Sequence, residues 1–139
     1  MRIAAEDAEF GIPAARLGLA YSSGMVRQLV SLVGPAHARM LLYTGTRIDA
    51  LEAERIGLIN RTVRAEDLAE TVADLARTIA ANAPLSIRAA KLAVAAAEAP
   101  GSIETEAVDA AIATAFDSGD YREGRAAFAE KRQPKFSGT

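Results

Sequence analysis

The 139-residue sequence has no cysteine, one histidine (His37) and only 5% aromatic residues. Without cysteine there is no disulfide framework, no thiolate metal site and no cysteine nucleophile, which fits a reducing cytosol. A zinc site would need carboxylates almost alone, and no tight acid cluster offers one. Sixteen basic and 18 acidic residues leave a net charge of −2, so there is no excess of positive charge for nucleic acid. Apolar runs such as Leu92 to Ala97 are far too short to cross a bilayer. The start, Met1 to Asp7, carries acids where a signal peptide needs an apolar core. β-Branched and aromatic residues are scarce, which argues against a strand-rich sandwich or barrel.

Alanine is abundant instead, at 32 of 139 residues, within a hydrophobic fraction of 50%. Alanine is the best helix former, and so rich an apolar complement excludes a disordered chain. The expectation is a soluble, cytoplasmic, mainly helical protein of about one domain, with no internal boundary or repeat.

Arg2 to Ala5 and Glu9-Phe10 read as short strands, ended by Gly11 and Pro13, and Leu17 to Tyr21 as an apolar loop. Ser22-Ser23 can cap a helix running to Val33, where Gly34-Pro35 stops it and Pro35 opens the next, ending near Gly45. Asp49 and Glu52 form an approximate capping box for a short helix ended by Gly57. Leu58 to Val63 reads as a further strand. Leu68, Val72, Leu75 and Ile79 recur at helical spacing within Glu66 to Ala81. After Asn82-Ala83-Pro84 a helix from Leu85 to Ala97 is apolar around most of its circumference, so burial is expected. Ser102 is the expected cap of a helix with Val108, Ile112 and Phe116 on one face. Ser118-Gly119 then separates a last helix, Tyr121 to about Lys131, from a tail with Pro134. So few short strands cannot form an independent sheet, so partners for them are expected elsewhere.

No G-x-x-x-x-G-K-[ST] loop occurs, and Gly18 and Gly24 lack the spacing of a dinucleotide fingerprint. Ser22 and Ser23 sit at a loop-to-helix turn but lack the G-x-S-x-G context, so they read as caps and His37 as an ordinary helical residue. Glu6, Asp7 and Glu9 alternate with apolar residues and read as solvated acids. Arg122, Arg125, Lys131, Arg132 and Lys135 surround Phe128. That group could grip a phosphate or nucleotide, or be a solvated helix face with Phe128 docked on a core.

An ordered series of segments resembles the enoyl-CoA hydratase/isomerase family, the crotonases. It comprises Arg2 to Pro13, Leu17-Gly18-Leu19, Arg27-Gln28-Leu29 with Val33 to Ala36, Leu42 to Ala50, Glu54 to Arg61, Asn82-Ala83-Pro84 and Glu123 to Arg132. The resemblance implies an α/β fold: the C-terminal, mainly helical half of a crotonase-like ββα spiral, with a few short strands and C-terminal oligomerisation helices. Residues 1–139 would be a partial domain, with 1–63 the end of the spiral core, 64–100 a helical pair and 101–139 trimerisation helices. The backbone N–H groups that hold the thioester oxygen, the first catalytic glutamate and most of the adenine pocket would lie in a preceding half.

The same resemblance implies an acyl-CoA substrate, no separate cofactor because coenzyme A belongs to the substrate, and a homotrimer or dimer of trimers. Nucleic acid and membrane are not expected partners. The second hydratase glutamate follows the Phe-Gly-x-Pro motif, and here Ala14 occupies that position, so no catalytic residue is assigned. Tyr21 would donate a hydrogen bond at the acyl pocket or pack in its wall. Phe128 and Lys131 match positions that reach a neighbouring subunit's coenzyme A, the lysine toward phosphate. The alternative is a non-catalytic remnant, or an oligomerisation or coenzyme A-binding module.

Overall fold

The computed structural model describes residues 1–139, which form two compact units, Met1–Ala73 and Asp74–Thr139. In the first, β1 (Ile3–Ala5) pairs in parallel with β4 (Arg61–Val63), Ala4 opposite Thr62. Strand β2 (Glu9–Phe10) runs antiparallel to β3 (Ile48–Asp49), with Phe10 opposite Ile48. The expected strand over Leu58 to Val63 is therefore only half realised. Ile59 is instead a buried plug whose N–H donates to Ala53 O, and Asn60 N–H donates to Arg2 O. The segment from Pro13 to Leu17, beside the expected apolar loop, closes into a 3-10 turn that buries Ala14.

Helix α1 (Ser23–Thr44) is two helices meeting at Gly34, whose φ of 72° and ψ of 167° are open to glycine and almost nothing else. Its buried residues are Leu29, Val33, Ala38 and Leu41, and the five-residue step from Val33 to Ala38 marks the reset of helical phase at the kink. The expected punctuation at Gly34-Pro35 is thus real: the two helices abut there with a kink between them. Ser22 accepts from Met25 N–H at 3.4 Å, and Asp49 accepts from Glu52 N–H at 2.8 Å to cap α2 (Ala50–Arg55). Leu29, Val33, Ala38, Leu41 and Ile56 make one buried cluster, and Ala4, Ala50, Ala53 and Ile59 a second; Ile48 and Leu58 touch both. Each buried Leu, Val or Ile contributes about 1.5–3 kcal/mol, so this small core supplies most of what holds the unit together.

A 3-10 turn at Ala65–Asp67 leads into α3 (Leu68–Ala80), inside which the unit boundary falls. The second unit contains α4 (Pro84–Glu98), α5 (Thr105–Asp117) and α6 (Gly119–Glu130), with α4 packed along α5. Burial of α4 falls short of expectation: only Ala89 is buried. Its apolar circumference is built mostly of alanine, and α5 covers one side of it. Ser102 does not cap α5. Its N–H closes the Pro100-Gly101 turn on Ala99 O at 3.0 Å, and the helix starts later, from Glu104, without a side-chain cap. Ser118 does cap α6, accepting from Tyr121 N–H at 3.0 Å. No helix is long and apolar enough to cross a membrane.

Candidate functional site

Of the residues singled out in the sequence, Phe128 and Lys131 lie together at the end of α6. Phe128 is 87% exposed. Lys131 terminates the helix with a φ of 54°, its N–H donating to Phe128 O, and it is the one non-glycine residue with positive φ. A left-handed residue turns the chain back on itself, so the following tail folds back along α6.

That tail is not loose. Arg132 forms a two-pronged pair with Glu123, Nη1 to Oε1 at 2.6 Å and Nη2 to Oε2 at 2.9 Å, and also binds Glu130 at 2.6 Å. Lys135 N–H donates to Glu123 at 2.8 Å. The Arg132 guanidinium, helped by the Lys135 amide, holds the Glu123 carboxyl down at about 2, well below the usual carboxylate range. Glu123 and then Glu130 push Arg132 upward in turn. Of the five basic residues around Phe128, Arg132 is therefore spent on internal pairing. Arg125 lies over the Tyr121 ring at 5.7 Å, and Arg122 donates to Asp117 O at 3.2 Å. Lys131 and Lys135 are in no ion pair, which leaves their ammonium groups for an anion.

Phe128 borders a cleft of about 380 Å³, walled also by Tyr121, Arg125 and Phe136, with Ser86 and Asp120 among its polar residues. Tyr121 is itself held edge-on by Phe116 at 5.4 Å. Aromatic walls suit a planar ligand, and the lining carries one cation, Arg125, and one carboxylate, Asp120. Sequence reasoning missed Asp120 and Phe136. Their contacts span twelve or more residues and follow no helical or strand period, so only the folded tail brings them together.

Tyr21 and Ala14 belong to the first unit. Tyr21 is 39% exposed in the segment between the first 3-10 turn and α1, whereas Ala14 is buried in that turn and presents only a methyl group. Ser22 caps α1, and His37 places Nδ1 3.1 Å from Val33 O within the same helix, an arrangement without a nucleophile-base pair. Glu9 pairs with Arg47 at 3.0 Å, while Glu6 and Asp7 stand in an exposed turn. No three acidic or histidine side chains gather as metal ligands would.

The sequence profile of the enoyl-CoA hydratase/isomerase family matches residues 1–139. A crotonyl-CoA hydratase of Syntrophomonas wolfei is 38% identical over 136 residues, covering 97% of this chain and 52% of the relative. A short-chain-enoyl-CoA hydratase of Clostridioides difficile is 46% identical over 94 residues, covering 68% of this chain and 61% of the relative. Among solved structures, an enoyl-CoA hydratase/isomerase family protein of Hyphomonas neptunium superimposes with a TM-score of 0.89 at 34% identity, covering all of this chain and 53% of that one. The chain spans about half the length of the relatives it matches. With a mainly helical crotonase-like α/β fold and a family match along its whole length, the chain belongs to the enoyl-CoA hydratase/isomerase family.

Proposed function

We propose that this chain is the C-terminal half of a crotonase-type domain that binds acyl-CoA thioesters in a homotrimeric or dimer-of-trimers, cytoplasmic protein. One observation carries the reading: Phe128 and Lys131 stand exposed together at the end of α6, with Phe128 bordering an aromatic cleft, and the resemblance puts coenzyme A contacts at these two positions. The Phe128 ring offers a face for a base and the Lys131 ammonium a charge-assisted contact for a phosphate. Tyr21 would donate its phenol proton toward the acyl pocket. The helices of residues 101–139 would form the trimer contact. Coenzyme A is part of the substrate, so no further cofactor is required.

The resemblance puts the second hydratase glutamate at position 14, where this chain has Ala14. Syn addition of water needs one carboxylate to activate water and a second to protonate the α-carbon, and the methyl of Ala14 can do neither. Ala14, together with the oxyanion donors that the resemblance puts in a preceding half, favours a second reading, a non-catalytic remnant or coenzyme A-binding module without hydratase turnover. A paired assay separates the two: crotonyl-CoA binding, and loss of the enoyl thioester absorbance. Binding with turnover selects an enzyme, binding without turnover selects the module, and absence of binding overturns both. In a protein joined to a preceding half that supplies the oxyanion donors and the first glutamate, Ala14→Glu raises hydration by about 100-fold or more if position 14 alone is limiting, the ordinary worth of a placed acid or base.

A further inference from the structure

Asp120 borders that cleft, yet it is only 2% exposed and is the largest side chain in the chain to be fully buried. Its carboxylate spends every hydrogen bond on the tail. Oδ1 accepts from Ser137 N–H at 2.7 Å and from the Ser137 hydroxyl at 3.5 Å, and Oδ2 accepts from Gly138 N–H at 2.9 Å. The exchange runs both ways, because Thr139 O accepts from Gly119 N–H at 2.6 Å and Asp120 N–H at 3.2 Å. An acid this early in a helix ordinarily serves the helix's own free amides, but here Ser118 caps Tyr121 and the tail takes the others. A buried carboxylate is costly unless its oxygens are fully satisfied, and only the tail satisfies this one.

What the tail carries into place is Phe136. Its ring lies over Gly124, 3.6 Å from where a Cβ would stand, and it forms part of the same cleft as Tyr121, Arg125 and Phe128. We infer that Asp120 is a positioning residue: it latches residues 136–139 onto α6 so that Phe136 completes the aromatic cleft that receives the nucleotide end of coenzyme A. The inference rests on the acyl-CoA reading for its ligand, but not for its geometry. Glu123 is the second point of attachment, through Arg132 and the Lys135 amide. Asp120 is the nearer of the two to the ring it places, since it holds the residue that follows Phe136.

The latch can be opened from either side. Asp120→Asn keeps the shape but removes one of two acceptors. Gly138→Ala leaves α6 untouched, yet asks alanine to adopt a φ of +81° with its Cβ 3.1 Å from Pro84 Cγ. The test combines amide exchange at Ser137 and Gly138 with coenzyme A affinity for Asp120→Asn, Phe136→Ala and the double variant. Exchange at both amides is expected to quicken 10-fold or more in Asp120→Asn. Affinity should fall about 5- to 10-fold in each single variant and no further in the double, because Asp120 acts through Phe136. Losses that multiply in the double variant, or unchanged affinity in Asp120→Asn, overturn the inference. If the unaltered protein does not bind coenzyme A, the acyl-CoA reading fails, and the nuclear Overhauser contact between Phe136 and Gly124 decides the latch. Its loss in Asp120→Asn or, should that variant not fold, in Gly138→Ala supports the positioning role, and its retention overturns it.

Discussion

The helix-ending role of Lys131 and its proposed phosphate contact pull apart on mutation. Its left-handed backbone costs a non-glycine residue about 1–2 kcal/mol, while its exposed ammonium is free for an anion. Lys131→Gly should therefore raise the thermal midpoint and still weaken coenzyme A binding, whereas Lys131→Ala weakens binding without that relief. For an exposed charge pair the loss is about 2- to 5-fold at low ionic strength and fades toward 1 M salt, because screening shortens its reach to about 3 Å. Titrations at two salt concentrations check both variants; unchanged affinity at low salt refutes the phosphate contact. Glu123 gives a prediction in pH. Its carboxyl sits at about 2 in the folded protein against an ordinary 4.5. The stabilisation it brings is thus complete above about pH 4.5 and is lost as pH falls toward 2. Thermal midpoints measured across that window should drop less steeply in Glu123→Gln, and an unaltered slope contradicts the pairing with Arg132. The sequence showed the basic cluster but not its partners: that Arg132 is neutralised and Lys131 left free depends on where the tail turns.

The helices were the most legible elements, because their stops are local chemistry. Ser22 and Asp49 cap as their positions lead one to expect, and Ser118, expected only to separate two helices, caps as well, each accepting from the amide three residues on. Gly34-Pro35 marks the one internal break. Gly34→Ala tests that element directly. A Cβ there meets nothing within 4 Å, so the penalty is backbone strain alone, about 1–3 kcal/mol, read as a lowered denaturant midpoint with an unchanged slope. A neutral result would mean that the kink is not fixed by this residue. Elements whose character depends on partners were less legible. Apolarity around α4 reads as burial, but alanine makes a helix apolar without saying how much of it is covered. The strand at Arg61–Val63 is set by pairing with Ile3–Ala5, nearly sixty residues away, and a window of sequence carries no trace of that distance. The tail was least legible, since Asp120, Glu123 and Phe136 meet only through the reversal at Lys131.

At the scale of the molecule, the family match runs along the whole chain while the chain covers about half of its relatives. Large apolar side chains stand exposed in both units, among them Met25, Met40 and Tyr43 in the first and Val94, Phe116 and Phe128 in the second. Apolar surface of this kind is suited to contact with further protein, and the proposal assigns the second unit's share to a trimer. Site legibility follows the same division. The resemblance points to Phe128 and Lys131, whereas the cleft that Phe128 borders needed the folded tail. Native mass spectrometry of the protein, expressed with any in-frame sequence that adjoins it and titrated with crotonyl-CoA, tests assembly and ligand together. The account predicts trimers or pairs of trimers that take up crotonyl-CoA saturably; a monomer that takes up none would contradict it.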